Sequence, residues 1–100
     1  MKLVFSREAR DDFVRLRTFI AEHDAAAAER IARALVQGIG RLTRHPRLGK
    51  RVAIAPEEFA PDEIRDWLVS AYVVRYLVLG DRVVVLRIWH EKEDRPQHAI

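Results

Sequence analysis

Cysteine is missing from the 100 residues of this chain. Disulfides, thiolate metal sites and a cysteine nucleophile are thereby excluded together. Long hydrophobic runs are missing as well. Although 49% of the residues are hydrophobic, no stretch reaches the roughly 18 consecutive apolar residues that a membrane span needs, so no membrane partner is expected. The opening Met1-Lys2-Leu3-Val4-Phe5-Ser6-Arg7 turns charged before the apolar core of a secretory signal can form, which points to a cytoplasmic location. His23, His45, His90 and His98 stand far apart and show neither HxxxH nor HExxH spacing. No metal site and no cofactor is expected from them.

What remains suits one domain over residues 1–100 with a single core. The net charge of +3 is compatible with nucleic acid or an acidic protein partner, since a positive field steers polyanions, and equally with an ordinary solvated surface.

Lys2 to Phe5 reads as a short strand that feeds a helix capped by Ser6. Ala9, Phe13, Leu16 and Ile20 recur at steps of four, three and four, with charged residues on the other faces, so an amphipathic helix is expected from about Arg7 to Glu22. Asp24 caps a second helix, opened by Ala25 to Ala28 and striped with Ala28, Ile31, Leu35, Ile39 and Leu42. Only His23 and Asp24 separate the two, which makes them an antiparallel αα-hairpin. Gly38 and Gly40 mark either close backbone approach, the favoured reading, or a loosening of the last turns. Pro46 and Gly49 end the helix.

Residues 52–62 read as an irregular connection. Three strands follow, Ile64 to Val69, Tyr72 to Leu79 and Arg82 to His90, dense in Val, Leu, Ile, Tyr and Trp. Gly80-Asp81 is a two-residue type II′ hairpin loop. It sets a register in which Leu79 pairs with Arg82, Tyr76 faces Val85, Val74 faces Arg87 and Tyr72 faces Trp89. That side carries polar tips and is expected to stay partly open. The more aliphatic side, Val73, Leu77, Leu79, Val84, Leu86 and Ile88 with Arg75, is expected to receive the helices. The fold class is α+β, β-α-α-β-β-β, with the helical hairpin on one face of a mainly antiparallel sheet.

Several segments resemble the RelE/ParE toxin superfamily of type II toxin-antitoxin systems. They are Ser6-Arg7-Glu8-Ala9-Arg10-Asp11-Asp12 at the start of helix one, the turn His45-Pro46-Arg47-Leu48-Gly49-Lys50, Ile64-Arg65-Asp66, Tyr72-Val73-Val74-Arg75-Tyr76, and Val85 to Asp94. Their order and spacing match the family over nearly the whole chain. The resemblance implies a toxin neutralised by a cognate antitoxin, in a hetero-oligomer. It also implies one of two activities, inhibition of DNA gyrase in ParE-like members or ribosome-dependent mRNA cleavage in RelE-like members. An inactive module that only binds antitoxin is a third reading. No tyrosine follows Tyr76 and the chain end lacks the late aromatic of many nuclease members, so the ParE-like branch is favoured.

Chemistry points the same way. Cleavage through a 2′-hydroxyl needs a base, an acid and cations around the phosphorane. Arg65 and Arg87 could be the cations and His90 the acid or base. The expected register sets Arg87 and His90 on opposite sheet faces unless a bulge re-aims one, and His90 also has a structural reading. Target contacts are expected from Arg87, Trp89, His90, Lys92 and Arg95. Antitoxin contacts are expected from Val14, Phe19 and Val36, which lie outside the main helical stripes, with a strand added at the sheet edge.

Overall fold

A computed structural model describes residues 1–52 and 63–93. Its elements are β1 (Lys2–Phe5), α1 (Arg7–His23), α2 (Ala25–Gly40), β2 (Lys50–Arg51), β3 (Ile64–Val69), β4 (Tyr72–Leu79) and β5 (Arg82–His90). The expected order is present, with the short β2 as an added edge. Both helices begin where their caps place them. The Ser6 and Asp24 side chains each accept a hydrogen bond at 3.0 Å, from the N–H of Ala9 and of Ala27, and such caps are worth about 1 kcal/mol each.

The two glycines of α2 divide the alternatives between them. A Cβ on Gly38 would lie 2.7 Å from Val69 Cγ1, so this glycine marks close approach of helix and sheet. A Cβ on Gly40 would meet nothing within 4 Å. There the helix tightens into a 3-10 turn, Arg41–Thr43, that leads to the proline turn.

The sheet runs β1-β5-β4-β3-β2, with β1 parallel to β5 and every other pair antiparallel. Leu79 pairs with Arg82, and Gly80 takes φ +60° while Asp81 does not, as a type II′ turn requires. The expected register holds as far as Tyr76 opposite Val85 and then slips by one. Arg75 faces Arg87, Val74 faces Ile88 and Tyr72 faces His90, because Leu86 is the extra residue of a β-bulge. Thus the pairings expected for Val74 with Arg87 and Tyr72 with Trp89 are not formed.

The face receiving the helices is the reverse of the expected one. Tyr72, Val74, Tyr76, Val83, Val85 and Ile88 are buried, and most of them form one cluster with Ala9, Leu16, Leu35 and Ile39 of the helices. Leu79, on the side expected to be covered, is 53% exposed. Two physical causes account for the reversal. The Tyr76 hydroxyl finds backbone partners inside the fold, so its ring buries without an orphaned polar group. The bulge also carries Arg87 and Trp89 off the helix-facing side, leaving that side apolar.

Candidate functional site

At the junction of α1 and β5, one carboxylate does the work of a missing strand. Pairing of β1 with β5 ends at Phe5, after which the Ser6 N–H donates to Val85 O and its hydroxyl to Leu86 O. Beyond Leu86 the edge of β5 belongs to Asp12. Its Oδ2 accepts the Ile88 N–H at 2.9 Å, and its two oxygens accept Arg87 Nε and a terminal nitrogen at 2.8 and 3.1 Å. The Asp12 side chain is only 6% exposed. Donating to Asp12 raises the pKa of Arg87 above its ordinary value and so locks it in the charged form.

A second cluster closes the C-terminal end of β5. Glu93 accepts the His90 N–H at 2.8 Å and forms an ion pair with Arg15 at 3.2 Å. The Lys92 N–H donates to His90 Nδ1 at 3.0 Å, which leaves Nε2 as the protonated nitrogen of the neutral ring. The imidazole meets Tyr72 edge to face, with ring centroids 5.0 Å apart. Burial, with a contribution from the Glu93 charge, pushes the Tyr72 phenol up.

The opposite end of the sheet grips the proline turn. The Tyr76 hydroxyl donates to Pro46 O at 2.6 Å and accepts the Gly49 N–H at 2.9 Å, while Arg65 donates to Gly49 O at 2.7 Å. Gly49 has no room for a side chain, since its Cβ would lie 2.7 Å from Asp66 O. Burial raises the Tyr76 phenol. Glu63 accepts from both Arg47 and Arg65, and the Arg47 hydrogen bond is the leading cause that holds its carboxyl below the usual range.

Arg65, Arg87 and His90 therefore do not converge. Arg65 stands opposite Tyr76, and His90 opposite Tyr72 on the next strand pair, four residues or about 13 Å further along β4. The bulge re-aims both Arg87 and His90, and they still alternate to opposite faces of β5.

On the face away from the helices, Arg75 is 2% exposed, makes a bidentate pair with Asp66 at 2.8 and 3.0 Å, and lies 5.1 Å over the Trp89 ring. Trp89 is buried by the fold itself. An open groove of about 710 Å³ runs beside this pair, bordered by Leu48, Lys50, Asp66, Trp67, Leu68 and Val73. Lys92 is exposed. Arg95 lies outside the described residues. Val14, Phe19 and Val36 are all exposed, yet Val14 and Phe19 are five residues and so about 140° apart around α1. Sequence reasoning overlooked Asp12 and the Tyr76 clasp. A signal for Asp12 existed, a carboxylate set between Ala9 and Leu16 on the apolar stripe of a helix.

Among the described residues no group of His, Asp and Glu could hold a metal ion, and no helix is long and apolar enough to cross a membrane. Residues 3–95 match the family model of the ParE toxin of the type II toxin-antitoxin system parDE. The chain is also 37% identical over 93 residues to Toxin RelE1 of Caulobacter vibrioides, covering 93% of this chain and 96% of that protein. It belongs to the ParE/RelE family of type II toxins. In solved structures it resembles the chromosomal ParDE TA system from P. aeruginosa, with a TM-score of 0.72 at 16% identity over 90% of this chain and 95% of the other, a likeness of fold.

Proposed function

We propose that this chain is a cytoplasmic toxin that inhibits DNA gyrase by protein–protein contact and is silenced in a hetero-oligomer with a cognate antitoxin. One observation carries the choice of gyrase over RNA cleavage: the two cations a nuclease would need are engaged within the fold, Arg87 by Asp12 and on the other face of β5 from His90, and Arg65 by Gly49 O and Glu63, about 13 Å along the sheet from His90. Because Arg87 and Trp89 are held internally, target contact falls to His90, Lys92 and the residues that follow, Arg95 included. The antitoxin is taken at exposed Val14, Phe19 and Val36 and at β1, the edge strand among the described residues, where Val4 is 38% exposed. The ParDE system among the solved structures supports an antitoxin partner.

A second reading, a ribosome-dependent mRNA interferase, draws on the name of the Caulobacter relative and on the His90–Tyr72 ring pair with Glu93 beside it. Induced expression separates the two. Thymidine incorporation stopping before methionine incorporation is expected for gyrase inhibition. Methionine incorporation stopping first would contradict it.

A further inference from the structure

Charge is distributed unevenly over the two helices. α1 carries four arginines and four acidic residues, the ordinary mixture of a solvated face. α2 and the segment after it differ. From Arg30 to Val52 there are seven lysines and arginines and no acidic residue. The acid preceding them, Glu29, is paired with Arg17. Arg30, Arg33 and Arg41 follow one another at helical steps with Gln37 between them, on the side of α2 away from the buried Ala28, Leu35 and Ile39, and Arg44 and Lys50 follow them in the chain. All five cations are exposed, and none has an ion-pair partner among the described residues. Arg47, between Arg44 and Lys50 in the chain, is held by Glu63.

We infer that this ridge is a docking surface for the phosphate backbone of duplex DNA. Charge complementarity commits it to a polyanion, because the cations from Arg30 to Arg44, with no acid between them in the chain, repel one another unless an anion lies along them. Arg30 to Arg41 spans eleven residues, about 17 Å, matching roughly five base-pair steps of about 3.4 Å. Between Asp24 and Val52 there is no Phe, Tyr or Trp. The ridge thus lacks the stacking platforms on which unpaired bases are held, which argues against single-stranded DNA or RNA. An acidic protein would need an apolar anchor inside the contact, whereas exposed Val36 is turned about 100° from Gln37 and exposed Leu48 lies beyond Arg44, outside the span from Arg30 to Arg41. The surface does not rest on the gyrase reading, since it concerns a different face from His90 and Lys92.

The test is fluorescence anisotropy of the full chain with a labelled duplex of about 20 base pairs at several salt concentrations. With four phosphates neutralised, log K should fall against log salt with a slope of about −3.6, roughly 150-fold between about 50 and 200 mM salt. Arg33→Glu combined with Arg41→Glu should weaken binding by at least about 30-fold and bring the slope to about −2. Arg7→Glu combined with Arg10→Glu makes the same change in net charge on α1 and should cost less than about 3-fold. Circular dichroism checks the fold, and if the glutamate pair does not fold, Arg33→Gln with Arg41→Gln should still reduce the slope by about 2. Four results would overturn the inference: no binding at low salt, equal losses in both double variants, tighter binding to single-stranded DNA or RNA of the same length, or a ridge variant that loses affinity for polyglutamate but keeps it for duplex.

Discussion

Replacing Asp12 by alanine removes a buried carboxylate that accepts three hydrogen bonds, two from Arg87 and one from the Ile88 N–H. Breaking a buried ion pair by deleting one partner costs about 3–5 kcal/mol, and an orphaned N–H about 1–3 more. These figures need discounting here. The Arg87 side chain is 23% exposed and can regain some water, and Arg15, 3.7 Å away, belongs to the same network. A net loss of about 3 kcal/mol is expected, or about 12–24 °C in Tm for a chain of this size. Asp12→Asn keeps an acceptor for Ile88 and should lose less, about 1–2 kcal/mol. Arg87→Ala leaves the carboxylate buried, and a double-mutant cycle with Asp12→Ala should show a coupling of at least about 1 kcal/mol. Urea denaturation followed by circular dichroism gives all four corners of the cycle. A loss below about 1 kcal/mol for Asp12→Ala, or strict additivity, would refute the idea that Asp12 replaces a strand along β5 and holds Arg87.

Three further outcomes follow from other parts of the fold. Tyr76→Phe removes the hydroxyl that joins Pro46 O to the Gly49 N–H and should cost about 2 kcal/mol, since two buried backbone groups lose their partner; a neutral effect in denaturant unfolding would show that the clasp is not structural. Ser70 and Ala71 sit at φ 47° and 71°, a type I′ loop built without glycine, so Ala71→Gly should stabilise by about 1 kcal/mol, and a fall in Tm would contradict that. Tyr72 and Tyr76 both have pKa values raised from the ordinary 10.0 by burial. A raised folded value means that stabilisation is complete below pH 10.0 and is lost as pH climbs through the folded values; phenolate absorbance and circular dichroism should therefore change together on the alkaline side, and phenolate appearing in a still-folded protein would argue against this linkage.

Local signals were legible wherever chemistry is local. Ser6 and Asp24 announced both helices by their capping oxygens, Pro46 and Gly49 the end of the second, and Gly80-Asp81 the last hairpin with its turn type. Long-range consequences were harder to read. The bulge at Leu86 has no local composition signal, yet it shifts every later residue of β5 by one and so changes what Arg87, Trp89 and His90 face. The sheet faces were exchanged because both are rich in large apolar residues, and tyrosine tips were taken to mean water, whereas Tyr76 is satisfied by backbone thirty residues away in sequence. The Ser70-Ala71 turn carried no glycine to announce it. β2, two residues long, was too short for any periodicity to reveal. For the site, Arg65, Arg87 and His90 were legible as candidate residues, while their partners in the fold, Asp12 and Gly49, became visible only through the packing of α1 on β5 and of the turn on β3.

The most direct measurement is a supercoiling assay with active DNA gyrase and purified, folded, antitoxin-free protein, scored for lost supercoiling and for trapped cleaved DNA. Inhibition with trapped breaks, unchanged when Arg65 is replaced by lysine, is the predicted result. Full supercoiling at saturating toxin, together with ribosome-dependent cleavage of mRNA that disappears in Arg87→Ala, would contradict it and make the engaged arginines catalytic after all.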